Sequence, residues 1–315
     1  MKIYNDLDFP VVENRLAVAF GNFDGVHMGH RRLLEEMVNY SLQAKAVPSV
    51  FLFYPHPQRV LDPDNAPKML LDLEKKTEIL ESSNIKIAFI IPFTPEIASL
   101  TPEEFVKEVI VRRLKAEAVF VGFNFRFGHR ASGTPEFLQE LGTKYGFKVS
   151  VLPPVIINGE LVSSTRIREL LTTGDIRKAK DLLGYWPLIR GKIIKGDQRG
   201  RTLGFPTANI ETPKDILIPC SGVYAGKGIV DNKHYPAVVN IGKRPTFYDN
   251  SEKTIEAHLI GYKEFVYGKK IEIKLYERLR EERKFSRAQD LINQIQKDIK
   301  NALQICNREE FTAVF

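Results

Sequence analysis

The segment Ala19–His30, AFGNFDGVHMGH, places glycines, a carboxylate and two histidines directly after an apolar run. Gly21 and Gly25 allow the backbone to turn sharply and to approach a ligand closely. His27 and His30 fall where a helical pattern begins, and the free N–H groups of a helix N-terminus favour anions. Neutral imidazole N–H groups also donate to phosphate oxygens. The segment predicts an anion site, although H-x-x-H spacing alone is equally typical of a structural turn or a metal pair.

A second group of anion-binding residue types lies in VSSTRIRELL, residues 162–171. Hydroxyl groups and arginines at the entrance to a helix bind phosphate well. The alternative interpretation is a helix cap with surface arginines. The residues are Ser163, Ser164, Thr165, Arg166 and Arg168. Two anion sites in one domain favour a nucleoside triphosphate as ligand.

A third candidate site is GDQRGRTLGFPTANI, residues 196–210. Its glycines recur at four-residue steps and suit a loop that wraps phosphate: Gly196, Gly200 and Gly204. Thr207 and Asn209 share one face if the segment is extended, and they supply oxygen ligands of the kind that Mg²⁺ accepts. The alternative is an ordinary loop followed by polar strand residues.

Glu256, in TIEAHLI (254–260), is a candidate general base. Strand alternation places Glu256 and His258 on one side and apolar residues on the other. Transfer of a group to an alcohol needs a proton acceptor, and a fixed carboxylate can serve. The alternative is a glutamate that only faces solvent.

The elements that must position these residues change in kind along the chain. The first half alternates apolar runs with helical spacing, which indicates βαβ units and a parallel sheet. The predicted strands are RLAVAF (15–20), PSVFLFY (48–54), IKIAFIIP (85–92), AEAVFVG (116–122) and KVSVLPP (148–154). The predicted helices between them are HRRLLEEMVNYSLQ, LEKKTEILESSN, PEEFVKEVIVRRLK and TPEFLQELGTKYG.

The pattern after residue 185 is different. Short alternating segments broken by glycine, proline and asparagine predict antiparallel strands and a small barrel. These segments are PLIRGKIIKG, GVYAGKGIV, YPAVVNIG, TIEAHLIG and KKIEIKLYERL. Leu291, Ile295, Ile299 and Leu303 then recur every four residues, which predicts an amphipathic helix.

Composition limits the class of protein. The chain has 315 residues, enough for two domains, and no apolar run approaches the length of a membrane span. The first residues lack the layout of a secretory signal. Two cysteines, Cys220 and Cys306, provide no disulfide or metal framework. We therefore expect a cytoplasmic protein without a membrane partner.

The net charge of +7 lies entirely in the second part of the chain. Residues 1–185 carry 23 basic and 23 acidic side chains, whereas residues 186–315 carry 23 basic and 16 acidic ones. A basic module often binds polyanions, so a nucleic-acid-binding protein is a second hypothesis. The bases are mixed with acids, as in YERLREERK, which favours phosphate-bearing small ligands over nucleic acid.

Several of these motifs together resemble the nucleotidyltransferase module of bacterial bifunctional riboflavin kinase/FAD synthetases. They are GNFDGVHMGH, SSTRIR, FYPHP (53–57) and VGFNFRFGHRASG (121–133). The resemblance implies a Rossmann-like domain that transfers AMP from ATP to FMN and gives FAD and pyrophosphate. It implies that His27 and His30 hold the ATP phosphates, and that Ser164, Thr165 and Arg168 bind the leaving pyrophosphate.

The same resemblance assigns the remaining residues of this module. Asn22 and Asp24 would line the nucleotide site, and Pro55 and Pro57 would shape the flavin side with Phe125 or Phe127. The further residues expected to bind ATP or flavin are Gly21, Phe23, Gly25, Asn124, Arg126 and Ser163. Position 124 is Asn where many relatives have Asp, so hydrogen bonding is retained there and a charge is lost.

The second part of the chain resembles the riboflavin kinase module through GRTLGFPTANI, GVYAGKGIV, VVNIGKRPTF, IEAHLI and VYGKKIEIKLYERLREERKF, in that order. The resemblance implies a six-stranded antiparallel barrel with a closing helix. It implies that Thr207 and Asn209 coordinate Mg²⁺ with the nucleotide phosphates. Glu256 would take the proton of the ribityl 5′-hydroxyl as that oxygen attacks the γ-phosphorus of ATP.

We therefore predict an adenylyltransferase domain at 1–184 and a riboflavin kinase domain at 185–315. The predicted substrates are riboflavin, FMN and ATP, with Mg²⁺ as cofactor, no nucleic acid, and a monomer or weak homo-oligomer. The third hypothesis is a flavin- or nucleotide-binding protein that retains only the kinase activity.

Overall fold

The computed structural model describes residues 1–9, 15–196, 203–243, 253–262 and 267–312. The chain forms two compact units, Met1–Ser164 and Thr165–Phe315. The domain boundary expected at 184/185 stays a prediction. No helix in the described ranges is long and apolar enough to cross a bilayer.

The first unit is built on a six-stranded parallel sheet. Its strands are β1 (Lys2–Tyr4), β2 (Leu16–Phe20), β3 (Val47–Phe53), β4 (Ile87–Ile91), β5 (Ala116–Gly122) and β6 (Lys148–Leu152). They pair in the order β1-β4-β3-β2-β5-β6. The parallel α/β fold is confirmed. Apolar runs predicted β2 to β6, whereas β1 was missed because it is three residues long and mostly exposed.

The strand order explains where a ligand can bind. The chain proceeds from β2 outward through β3 to β4, then returns to place β5 on the other side of β2. The loops that leave β2 and β5 therefore diverge at a topological switch point, where open parallel sheets bind ligands. The GNFDGVH turn follows β2, and VGFNFRFG lies at the end of β5.

Helices cover the sheet, and every residue of β2 and of β4 is buried. The helices of this unit are α1 (Met28–Ala44), α2 (Pro57–Leu61), α3 (Leu73–Ser82), α4 (Pro95–Ser99), α5 (Pro102–Phe105) and α6 (Pro135–Tyr145). Thr101 and Glu104 form a capping box at α5. The predicted helix at 102–115 continues from α5 as a π-helix, Val106–Arg113, in which Leu114 N–H donates to the Val109 carbonyl.

A short hairpin precedes the second unit. Its strands are β7 (Ile156–Ile157) and β8 (Glu160–Leu161), which the sequence pattern did not predict. Asn158 and Gly159, both with positive φ, form its two-residue turn.

The second unit is a closed antiparallel barrel of six strands, as predicted. The strands are β9 (Leu188–Ile194), β10 (Ala208–Glu211), β11 (Gly222–Val230), β12 (Lys233–Lys243), β13 (Lys253–Leu259) and β14 (Lys270–Arg280). The barrel closes in the order β10-β13-β12-β11-β14-β9, with β9 paired to β10. Burial alternates along β13, where Ile255, Ala257 and Leu259 are buried and Glu256 and His258 are half-buried.

Three helices pack on this barrel: α7 (Ser164–Thr173), α8 (Ile176–Leu183) and α9 (Ala288–Thr312). The Cys220 N–H donates to the Leu171 carbonyl of α7. Arg177 of α8 forms an ion pair with Glu277 of β14, in which Nη2 and Oε2 are 2.7 Å apart. These contacts account for the inclusion of residues 165–183 in the second unit.

The closing helix α9 buries small apolar side chains against the outer face of the barrel. Ala302, Ile305 and Cys306 pack with Ala225 and Tyr276 in one cluster. The predicted closing helix is thus confirmed, with its last turns extending beyond the predicted segment.

A buried ion pair fixes α9 to β14. The Asp298 carboxylate is 2% exposed, and it accepts hydrogen bonds from Arg280 Nε (3.0 Å) and Nη2 (2.8 Å). Gln294 Nε2 also donates to it at 2.7 Å. Removal of one partner from such a pair leaves a buried charge uncompensated.

We predict that Asp298→Ala lowers the free energy of unfolding of the second unit by about 3 kcal/mol, because the Arg280 guanidinium loses its carboxylate. Urea unfolding followed by the fluorescence of Trp186, the single tryptophan of the chain, measures this unit. Asp290→Ala, at an exposed position of the same helix, should cost less than about 1 kcal/mol. Equal losses in the two variants would contradict the role of the ion pair.

Candidate functional sites

The first site begins where β2 ends. The chain turns through Gly21 and Asn22 into a short 3-10 helix, Asp24–Val26, in which Gly25 has φ +78°. His27 is extended and caps α1, because its Nδ1 accepts a hydrogen bond from His30 N–H at 3.3 Å. The anion-binding turn expected from the sequence therefore has a helix N-terminus directly behind it.

The two histidines of the turn lie face to face. Their ring centroids are 3.7 Å apart and nearly parallel. Since Nδ1 of His27 accepts from the backbone, a neutral His27 ring carries its proton on Nε2 and donates there. His30 Nδ1 is sealed from solvent without a hydrogen-bond partner in the described part of the chain. The pKa of His30 lies well below its ordinary value. Burial is the largest cause, and the electrostatic effects of His27 and Lys76 lower the pKa further.

Residues behind the turn hold it in place. The Asn22 side-chain amide hydrogen-bonds to His56 Nε2 at 2.9 Å, and the Asn22 carbonyl accepts from Lys76 Nζ at 2.8 Å. Asp24 is 3% exposed, and its Oδ1 accepts from the Leu70 N–H at 2.9 Å. Asp24 was expected to line the nucleotide site; its carboxylate is used at least in part to fix the turn.

The loop after β5 brings aromatic rings to the same end of the sheet. Phe125 and Phe127 stack with centroids 5.6 Å apart, and Phe125 approaches Phe20, the last residue of β2, at 6.3 Å. Asn124 and Arg126 are exposed beside them. Sequence spacing alone could not show that the loop after β5 packs against the end of β2.

Other expected residues lie at element ends. Pro57 is the first residue of α2, capped by His56, and Pro55 is exposed just before it. Ser164 begins α7, and its Oγ donates to the Asp24 carbonyl at 2.9 Å. Thr165 and Arg168 follow on α7, while Arg166 pairs with Glu169 at 3.0 Å. Their action on phosphate stays a prediction, as do the roles of Ser163 and Phe23.

The second site is a row of polar side chains across three strands of the barrel. In the register of the sheet Glu256 of β13 lies opposite Asn209 of β10 on one side and opposite Asn240 of β12 on the other. Directly opposed residues share a face, with Cβ atoms about 5 Å apart. The sequence motifs indicated Glu256 and Asn209 separately. They did not indicate Asn240, because only the strand register reveals that residue as a neighbour of Glu256.

The segment before β10 is tied to the same face. His258, two residues from Glu256, hydrogen-bonds through Nδ1 to the Pro206 carbonyl at 2.8 Å. Thr207 follows Pro206, and both Thr207 and Asn209 are half-buried while Ala208 between them is buried. The expected common face of Thr207 and Asn209 is consistent with this alternation.

Glycine at position 196 makes room for Asn209. A Cβ atom at Gly196 would lie 2.0 Å from Asn209 Nδ2, so any side chain there would displace the amide. Gly204 has φ +87° and open space around it, while Gly200 lies outside the described residues. The hydroxyl of Thr207 and the amide oxygen of Asn209 are oxygen donors of the kind that a hard cation such as Mg²⁺ accepts. No cluster of three or more His, Cys, Asp or Glu suited to a metal occurs among the described residues.

Two family models match the chain in succession: FAD synthetase over residues 10–166 and riboflavin kinase over residues 183–306. The bifunctional riboflavin kinase/FMN adenylyltransferase of Bacillus subtilis is 36% identical over 291 residues, 91% of each chain. That of Buchnera aphidicola from Schizaphis graminum is 35% identical over 291 residues, 91% of this chain and 93% of the relative. A solved structure from Streptococcus pneumoniae, described as a macrolide-efflux protein, has 27% identity and a TM-score of 0.86, covering 95% of this chain and 97% of its own.

The lowered pKa of His30 predicts a pH dependence of stability. Because the pKa of His30 is lowered on folding, the unfolded chain takes up a proton at His30 at a higher pH than the folded chain does. The free energy of unfolding of the first unit therefore falls as the pH is lowered from 7 to 5, by up to about 1.4 kcal/mol per pH unit.

Hydrogen exchange of the β2 amides, corrected for intrinsic rates, measures this change. His30→Asn should flatten the dependence, whereas His234→Asn, at an exposed residue of β12, should leave it intact. An unchanged slope in His30→Asn would show that another group titrates.

Proposed function

The chain belongs to the bifunctional riboflavin kinase/FMN adenylyltransferase family, and from this premise we propose which residues carry each reaction. The enzyme phosphorylates riboflavin with ATP to give FMN, and it transfers AMP from ATP to FMN to give FAD and pyrophosphate. The observation that carries the assignment is the presence of two separate groups of polar residues, the turn after β2 in the first unit and the row of Asn209, Glu256 and Asn240 in the second. The turn that carries His27 and His30 lies within the stretch matched by the FAD synthetase model, and the row around Glu256 lies within the stretch matched by the riboflavin kinase model.

In the kinase site Glu256 is the general base. It accepts the proton of the ribityl 5′-hydroxyl as that oxygen bonds to the γ-phosphorus of ATP, and the bond from this phosphorus to the bridging oxygen breaks to release ADP. Glu256 suits the role because it is half-buried on β13, which is paired on both sides, between Asn209 and Asn240. Amide groups on both sides can orient the carboxylate.

Thr207 and Asn209 would hold Mg²⁺ in this site, with the space for the Asn209 amide preserved by Gly196. When bound, the ion supplies positive charge for the phosphate oxygens of ATP. His258 supports this arrangement through its hydrogen bond to the Pro206 carbonyl, directly before Thr207. Gly200 and Gly204 are proposed to form the surrounding phosphate loop.

The adenylyl-transfer site needs no strong base, because the phosphate of FMN is ionised near neutral pH. One FMN phosphate oxygen bonds to the α-phosphorus of ATP as the bond to the leaving pyrophosphate breaks. His27 and His30, with the N-terminus of α1, stabilise the growing charge on pyrophosphate. Ser164, Thr165 and Arg168 are proposed to act on the same group, and Asn22, Gly21 and Gly25 to form the turn around it.

The flavin side of this site is proposed to include Pro55, Pro57 and the stacked rings of Phe125 and Phe127. Asn124 and Arg126 are exposed in the same loop, where they can hydrogen-bond to a ligand. Asn124 preserves the hydrogen-bonding capacity of an Asp and lacks its charge. The alternative of a protein with kinase activity alone rests on this one residue.

We further propose a cytoplasmic enzyme that acts on these small molecules without nucleic acid, as a monomer or weak homo-oligomer. Neither Cys220 nor Cys306 is part of a disulfide, which is compatible with a reducing compartment.

Incubation of the purified protein with riboflavin, ATP and Mg²⁺, followed by chromatography of the flavins, tests the two activities together. We expect FMN to appear first and FAD to follow, since the product of the kinase is the substrate of the transferase. FMN without FAD would favour the kinase-only alternative. The absence of both products would refute the proposed function.

Separate sites predict reciprocal variants. Glu256→Gln should reduce FMN formation by about 100-fold or more through loss of the base, with conversion of FMN to FAD retained. His30→Ala should reduce FAD formation by about 100-fold, with FMN formation retained. The matched controls are Glu211→Gln, on an exposed position of β10, and His129→Ala, at an exposed residue of the first unit. Loss of both conversions in a folded single variant would contradict the separation.

A further inference from the structure

Lys76 carries a buried ammonium group that has no role in the reactions proposed above. It lies on α3 with 2% of its surface exposed, on the same helix face as the buried Ile79 and Leu80, which are three and four residues further on. An apolar side chain would suit that face. Burial of an ammonium costs several kcal/mol unless neighbouring groups compensate it.

The groups that compensate the Lys76 ammonium belong to the turn after β2 in the proposed adenylyl-transfer site. Lys76 Nζ donates to the Asn22 carbonyl at 2.8 Å, directly after the end of β2. Burial lowers the pKa of Lys76, and the negative charge of Asp24 opposes that shift. The positive charge of Lys76 in turn contributes to the lowered pKa of His30. One side chain thus acts on three residues of the turn.

We propose that Lys76 is a positioning residue for adenylyl transfer, which holds the Asn22 carbonyl and offsets the charge of Asp24 beneath the turn that binds the ATP phosphates. The inference rests on the proposed adenylyl-transfer function. The two actions of Lys76, on the Asn22 carbonyl and on the charge of Asp24, have different physical reasons. The charge-assisted hydrogen bond fixes where the chain leaves β2, and hence where His27 and His30 begin α1. Compensation of Asp24 matters because an unopposed buried carboxylate would repel a polyanionic substrate.

A second hydrogen bond, made by its side chain, holds Asn22 in place. Its side-chain amide is held by His56, which caps α2, while its carbonyl is held by Lys76 of α3. Neither His56 nor Lys76 has to touch ATP for this purpose. A turn fixed at both its backbone and its side chain is preorganised, and a displacement of about 1 Å at a reacting site can cost about 100-fold in rate.

Lys76→Met tests the proposal, because methionine keeps the length and apolar stem of lysine and removes the ammonium. Measured on the full-length enzyme well below its melting temperature, kcat for FMN-to-FAD conversion should fall at least about 10-fold. The KM for FMN should change much less, since the turn serves ATP. The kcat for FMN formation on the same preparation should be unchanged and serves as an internal control. Lys75→Met, at the partly exposed neighbour on α3, should match the wild type in both reactions.

Lys76→Arg keeps a cationic donor for the Asn22 carbonyl and should retain more of the FAD-forming kcat than Lys76→Met. It also keeps the test decisive if Lys76→Met proves insoluble. A Lys76→Met enzyme with a lowered melting temperature and wild-type kcat and KM would show a structural role only and overturn the inference, as would equal kcat values in the Arg and Met variants. If the wild type itself forms no FAD, the proposed function fails instead.

Discussion

The parallel pairing of β2 with β3 and β5 is the constraint on which the first site depends. It aligns residues 16–20 with β3 and residues 16–19 with β5, and delivers Gly21 to the end of the sheet. From there the chain has few residues in which to reach α1. The turn must therefore use residues in left-handed conformation, Phe23 at φ +48° and Gly25 at φ +78°. This turn is the place where a buried strand is followed directly by a helix N-terminus.

Buried polar groups make this turn rigid. Asp24, His27 and Lys76 are each below 9% exposed, and each binds a backbone group of the turn or of an adjacent segment. Such groups are costly to bury, and a purely structural turn could be built from apolar residues. Their concentration at the switch point of the sheet is what a site that binds anions and develops charge during reaction requires.

In the barrel, strand register brings the polar residues of the second site together. Its closed antiparallel pairing brings Asn209, Glu256 and Asn240 into one row, although they are separated along the chain by strands and loops. The Asp298 and Arg280 pair and the apolar contacts of α9 hold neighbouring strands of the same barrel. Strand β13 is hydrogen-bonded to a neighbour on each side, which restricts the position of the Glu256 carboxylate. A restricted position suits a base that has to accept one particular hydroxyl proton.

The sequence by itself determined the elements and the chemistry that they carry. Apolar runs identified β2 to β6, alternation identified the strands around Glu256, and local motifs identified His27, His30, Thr207 and Asn209 as candidates, because these signals depend on residues close together in the chain. Only the tertiary structure decided that Lys76 faces inward while Lys75 does not, and that Asn240 lies beside Glu256. It also revealed β1, which needs β4 as a partner to form. The physical reason is that burial and strand register depend on contacts between distant segments, and such contacts leave no periodic signal in the sequence.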